Sequence, residues 1–242
     1  MTYCVGVVLD QGIVFASDSR TNAGMDNIAK FCKMTLFERR GERVIVLLSS
    51  GNLAGTQAVI GVLNQRCVVG DAIPNLWGAR TMFEVAMLVA DAMRDVERRD
   101  GQYLQGNEAG FNASFIVGGQ ISGEAVRLFR IYAEGNFIEA EDATPYFQTG
   151  ETKYGKPIID RVITRHTPLS EAAKCVLVSF DLTMRSNLSV GMPIDLLCYE
   201  RDSLEVRMRR RFDAGDTYFS TLSHDWSEGT RNVFRQLPEL AW

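Results

Sequence analysis

Apolar, β-branched residues open the chain in short runs and recur only later at helical spacing. Residues 3–9 and 13–17 are two such runs joined by Asp10-Gln11-Gly12, which predicts a tight hairpin. A second hairpin is predicted from residues 34–38, a turn at Arg40-Gly41-Glu42, and residues 44–48. From residue 51 the period changes. Ala54, Ala58 and Val62 share a face over 51–67, and Val85, Leu88, Val89, Ala92 and Val96 line a broad face over 82–98, so two helices are expected. Strand-like stretches return at 112–117, 125–132 and 136–140. Helices over 154–163 and 170–186 follow, the second announced by Pro168 and capped by Ser170. Strands are expected again at 194–199 and 204–211, and a short helix around 226–236.

Strand runs alternating with helix pairs do not build parallel βαβ units. They fit an α+β fold of two stacked antiparallel sheets with helices outside, a four-layer αββα sandwich. No repeat, linker or composition break divides the chain, so residues 1–242 read as one domain, with 213–242 as a C-terminal extension.

The 242 residues are 46% apolar and 23% charged, an ordinary globular balance. A formal charge of −4 argues against a dedicated nucleic-acid binder. The basic run Arg207-Met208-Arg209-Arg210-Arg211 reads as a half-exposed strand, because Val206 and Met208 alternate with Arg207 and Arg209. No apolar run reaches the ~18 residues of a membrane span, and residues 1–6 lack a basic leader, so a cytoplasmic location is expected. Five scattered cysteines make no disulfide framework. With two histidines, His166 before a helix and His224 in a Ser-His-Asp-Trp turn, neither a zinc site nor a histidine base is expected. The acidic Glu139, Glu141 and Asp142 sit at an exposed loop, and no cofactor or metal is expected.

A hydrolase without histidine needs another base. Thr2 follows Met1, and removing Met1 would set a threonine hydroxyl beside its own α-amine. That amine titrates near ~7.7–8.0, so it can accept the hydroxyl proton at cellular pH. Many proteins begin Met-Thr, and Thr2 alone carries little weight. After the first hairpin comes Ser17-Asp18-Ser19-Arg20-Thr21-Asn22-Ala23-Gly24, then Lys30 and Lys33. Ser49-Ser50-Gly51 ends a strand and opens a helix, where unpaired N–H groups suit an oxyanion.

An N-terminal threonine, a strand–turn–strand, an Asp-Ser-Arg run ending in glycine and a lysine, in this order, resemble proteasome β subunits and bacterial HslV. The resemblance implies the N-terminal-nucleophile hydrolase fold. It makes Thr2 the nucleophile, Asp18 the buried carboxylate and Lys33 the active-site lysine, with Lys30 as the rival. It gives the oxyanion N–H to Ser50 or Gly51, and substrate-backbone pairing to Thr21 and Asn22. Farther on, Ser189 matches the late Asp-x-x-Ser motif, but Ser186 stands in place of its aspartate, and Gly150 or Glu151 replaces an earlier serine. Those departures, the tail and the lack of a propeptide are most similar to the Anbu branch, whose members form rings or open washer-like stacks.

The reading is a self-compartmentalising threonine peptidase, weak or narrow in activity, acting on peptides or proteins as a homo-oligomer. Surplus apolar surface on the 82–98 helix would supply contacts between copies. An inactive scaffold and a small-molecule amidase of the same fold are the alternatives. No membrane partner is expected, and no unfoldase can be named.

Overall fold

The computed structural model describes residues 2–22, 28–104 and 112–242. Strands β1 (Tyr3–Leu9), β2 (Gly12–Asp18), β10 (Tyr146–Gly150), β11 (Ile194–Glu200) and β12 (Met208–Phe212) form one antiparallel sheet, ordered β10-β1-β2-β11-β12. Strands β5 (Met34–Arg39), β6 (Arg43–Gly51), β7 (Ala113–Ile121), β8 (Arg127–Ile131) and β9 (Phe137–Glu139) form the other, in sequence order. Between them in sequence, β3 (Arg20–Asn22) pairs with β4 (Ile28–Lys30) in a separate ribbon.

Strand alternation divides the apolar residues among three cores. Along β1, Tyr3, Val5, Val7 and Leu9 face helices α3 (Lys156–Val162), α4 (Leu169–Ser186) and α5 (Thr217–Arg235). Cys4 and Val8 face the other way, meeting Val44, Val46, Leu48 and Ile116 of the second sheet. That sheet turns Ile45, Leu47, Phe115 and Val117 toward α1 (Leu53–Val69) and α2 (Met82–Leu104). The result is the four-layer αββα sandwich. Because β1 and β2 are covered on both faces, all their residues are buried and they read as continuous apolar runs.

Several local expectations change. Pro168, not Ser170, is the N-cap residue of α4, and no side chain caps it. Ser170 lies inside the first turn, after proline has fixed the helix entry. The short helix of the tail is a nineteen-residue α5 that contains His224, started by Asp216 accepting from the Phe219 N–H at 3.0 Å. On β12 the expected alternation is absent: Met208 to Arg211 are all exposed and only Phe212 is buried. This strand is the sheet edge, where the outer arginines stay in solvent. On α2, Val85, Leu88, Val89, Ala92 and Val96 are buried in the core that α2 shares with α1 and the second sheet. Phe83 and Met87 nevertheless stay exposed on α2, and further exposed apolar residues lie on α5 and after it, at Val233, Phe234, Leu237, Leu240 and Trp242.

Candidate active site

Antiparallel pairing gathers strand starts and strand ends at one edge of the sandwich. Thr2 immediately precedes β1, whose Tyr3 lies opposite Gly150 at the end of β10 and whose Cys4 lies opposite Ser17 near the end of β2. Lys33 immediately precedes β5, and Ser50 and Gly51 end β6. Thr2, Lys33, Ser50, Gly51 and Gly150 therefore line a single cavity of about 670 Å³.

Asp18 is closed to solvent and organises the floor of the site. Its Oδ1 accepts from the Lys33 ammonium at 2.6 Å and from the Tyr3 N–H at 3.0 Å. The same ammonium donates to the Arg20 carbonyl at 2.6 Å. Burial pushes the Asp18 carboxyl up from its ordinary value, while the Lys33 charge and the backbone donors oppose the shift. Lys33 is only 6% exposed, whereas Lys30 is exposed on β4 opposite Arg20. Lys33 is thus the lysine joined to Asp18.

The Ser50 hydroxyl belongs to a closed triangle, 2.8 Å from Ser114 Oγ and 2.6 Å from Thr149 Oγ1, with 2.6 Å between the last two. Gly51 has φ +103°, and a Cβ there would sit 1.8 Å from the Asn112 carbonyl oxygen. Only glycine fits this turn. Asn52 then caps α1 by accepting from the Gly55 N–H at 3.0 Å.

A second set of contacts reaches the Thr2 backbone through Glu151. The Glu151 N–H donates to the Thr2 carbonyl at 2.7 Å, and Glu151 Oε2 accepts from Asn187 Nδ2 at 2.8 Å. Asn187 Oδ1 accepts from the Ser189 N–H at 2.9 Å. Arg20 anchors this loop through its bond to the Leu188 carbonyl at 2.7 Å. Ser189 is not among the residues lining the cavity, and Ser186 is exposed at the end of α4. Thr21 and Asn22 lie on β3, opposite Ala29 and Ile28. Their side chains fall outside the described residues.

No protein-family model and no curated protein matches the chain. Solved structures do. Anbu (ancestral beta-subunit) from Yersinia bercovieri is 47% identical, with a TM-score of 0.93 and 99% of each chain covered. The chain belongs to the Anbu family. An Anbu (Gly-1) mutant from Hyphomicrobium sp. strain MC1 is 51% identical over all of both chains, with a TM-score of 0.94. A third match, described as the helical assembly of the Anbu complex from Pseudomonas aeruginosa, is 47% identical, with a TM-score of 0.93 and coverage of 99% and 98%.

Anbu membership accounts for the proteasome-like frame and leaves the departures from it to be explained by this chain's own contacts. Glu151 and Asn187 stand beside the expected serine and aspartate positions and bond to each other across 36 residues of sequence. The sequence did not reveal them as a pair, because β10 was not predicted and its end therefore had no neighbour. Tyr146-Phe147, a β-forming pair bounded by Pro145 and Gly150, was the available signal. Arg130, Tyr132 and Glu134, at the end of β8 and the turn after it, also line the cavity and carry no motif. Elsewhere, His166 is exposed and its Nδ1 meets Asp10 Oδ2 at 2.6 Å, while Glu139 pairs with Arg127 at 2.6 Å. Among the described residues, no cluster of His, Cys, Asp or Glu is placed to hold a metal, and no helix is long and apolar enough to cross a membrane.

Proposed function

We propose that this chain is an N-terminal threonine hydrolase of peptide bonds, slow or narrow in turnover, working as a homo-oligomer after Met1 is removed. One observation carries the reading. A single buried carboxylate, Asp18, holds both the Lys33 ammonium and the N–H of the residue that follows Thr2, so nucleophile and cation are referenced to one anchor. The Lys33 charge in the shared cavity favours the deprotonated forms of nearby groups.

In the proposed reaction the Thr2 hydroxyl passes its proton to its own freed α-amine, and Oγ attacks the scissile carbonyl carbon. The resulting oxyanion is received by backbone N–H at Ser50 or Gly51. The amine then gives its proton to the leaving nitrogen as the C–N bond breaks. Water hydrolyses the remaining ester and restores the hydroxyl. Glu151, Asn187 and Ser189 act as positioning residues for the Thr2 backbone. The Pseudomonas relative's helical assembly and the exposed apolar side chains of the C-terminal region support self-association.

Intact mass shows whether Met1 leaves. Protein with a free Thr2 is then compared with Thr2→Ala on a diverse peptide library and with an electrophile that requires both amine and hydroxyl. A Thr2 adduct and a turnover difference are expected. Equal rates for the two proteins with no adduct would overturn the hydrolase reading and leave an assembling scaffold; turnover confined to small amides would move the substrate class.

A further inference from the structure

Arg130 occupies a position on β8 where an apolar residue is the physical expectation. Phe129 and Ile131 turn toward α1 and α2, while Leu128 points between the two sheets. Residue 130 shares the face of Leu128, so an arginine stands on the inner side of the sandwich where the interior opens into the Thr2 cavity. Its Nε is buried without a partner, and among the described residues its side chain makes no hydrogen bond or ion pair. Its guanidinium carbon lies 4.9 Å from the centre of the Tyr132 ring. Nearby Arg127, by contrast, is paired with both Glu124 and Glu139.

Arg130 is half-buried, and its closed, unpaired Nε–H is a donor whose cost an acceptor in the cavity would offset. The other charged groups of the cavity do not do so. Lys33 is already joined to Asp18, and Glu134 is exposed and forms no ion pair with Arg130. Around these charges the lining is rich in uncharged hydroxyl and amide side chains, including Thr35, Gln57, Asn112 and Ser114. The cavity has the size of an ordinary small-ligand site.

We propose that Arg130 binds a carboxylate of the substrate, so that the cavity takes peptides presenting an acidic side chain or a free C-terminal carboxylate. A planar guanidinium can grip a carboxylate through two parallel N–H bonds, with the Tyr132 face fixing its plane. The inference rests on the peptide-site reading above, but its test uses binding and needs no turnover.

Three N-acetylated peptides separate the sources: Ac-Ala-Ala-Glu-amide, its neutral partner Ac-Ala-Ala-Gln-amide, and Ac-Ala-Ala-Gln with a free C-terminal carboxylate. Calorimetry on the full-length assembled protein should show at least one carboxylate peptide binding about tenfold tighter than the neutral one, with the gap narrowing in high salt. Arg130→Met should reduce the gap to less than about twofold, and Arg130→Lys should keep part of it. Which carboxylate peptide binds tighter identifies the source. Equal binding of all three, no binding of any, or a preference that survives Arg130→Met overturns the proposal. So does a change of oligomeric state in Arg130→Met with peptide preference intact, which would make Arg130 a contact between copies. Should Arg130→Met fail to fold, the wild-type peptide comparison across the salt series decides alone. Loss of Thr2 reactivity with the carboxylate preference retained would sink the hydrolase reading and leave this one standing.

Discussion

Glu151 accepts a hydrogen bond from the Asn187 side chain at 2.8 Å while its own N–H holds the Thr2 carbonyl at 2.7 Å. A carboxylate at the end of β10 is thus tied to an amide at the end of α4 beside the Thr2 backbone. Glu151→Gln keeps the shape and the backbone bond but removes the charge. Its denaturation midpoint should stay near wild type, while the weakened, no longer charge-assisted bond from Asn187 loosens the segment that holds Thr2, so the rate of Thr2 adduct formation should fall about tenfold. An unchanged rate would reduce Glu151 to a structural filler.

The Lys33–Asp18 pair is buried, so removing one partner strands the other. Lys33→Met should cost about 3–5 kcal/mol in a denaturant titration, because a carboxylate with almost no solvent access loses its cation. The double variant Asp18→Asn with Lys33→Met should recover a large part of that loss, since neither charge remains to be desolvated. Additive losses in the cycle would contradict the coupling.

Gly150 has φ +85°, and a Cβ there would lie 1.9 Å from the Thr2 carbonyl oxygen. Gly150→Ala should lose about 2 kcal/mol or more and displace the start of β1, with Thr2 reactivity falling in parallel. Gly41→Ala is the control: its φ is +77° but nothing lies within 4 Å, so only the backbone cost of about 1 kcal/mol applies. Equal losses at the two sites would show that the Thr2 contact is unimportant.

Burial pushes the Cys175 and Cys198 thiols up to about 12. At pH 8 about one in ten thousand of each is thiolate, so iodoacetamide should modify exposed Cys32 first and leave these two intact in folded protein. The same shift sets a stability trend. The unfolded chain loses these protons from about pH 8.5 and the folded chain does not. Their contribution is complete below that value and is lost as pH rises toward about 12. Cys175→Ala with Cys198→Ala should flatten the alkaline limb of a stability-against-pH curve; an unchanged limb would assign it to other groups.

Much of this architecture was legible locally. The two hairpins, the helices beginning near residues 53 and 82, and the run from Asp18 to Lys33 follow from period, turn residues and motif order, all of which act over a few neighbours. The elements missed were those whose stability comes from distant partners. The β3–β4 ribbon and β10 are short, and β10 exists because β1 supplies its ladder across more than a hundred residues. The sequence pattern marks only 226–236 of the long α5, whose first turns, with buried Phe219, follow closely on β12.

By itself the sequence determined the four-layer class from alternation and helical period, and Thr2 as a candidate from its place behind Met1. Asp18, Ser50, Gly51 and Lys33, with Lys30 as its rival, entered as what the motif order's resemblance to proteasome β subunits implies. Tertiary structure decided the rest: Lys33 over Lys30, Glu151 with Asn187 beside Thr2, and an unpaired Arg130 on an inner face. Each of those outcomes is a contact between segments far apart in the chain. Charge pairing over 2.6 Å and desolvation of a guanidinium have no local period, so they exist only once the sheets have closed on each other.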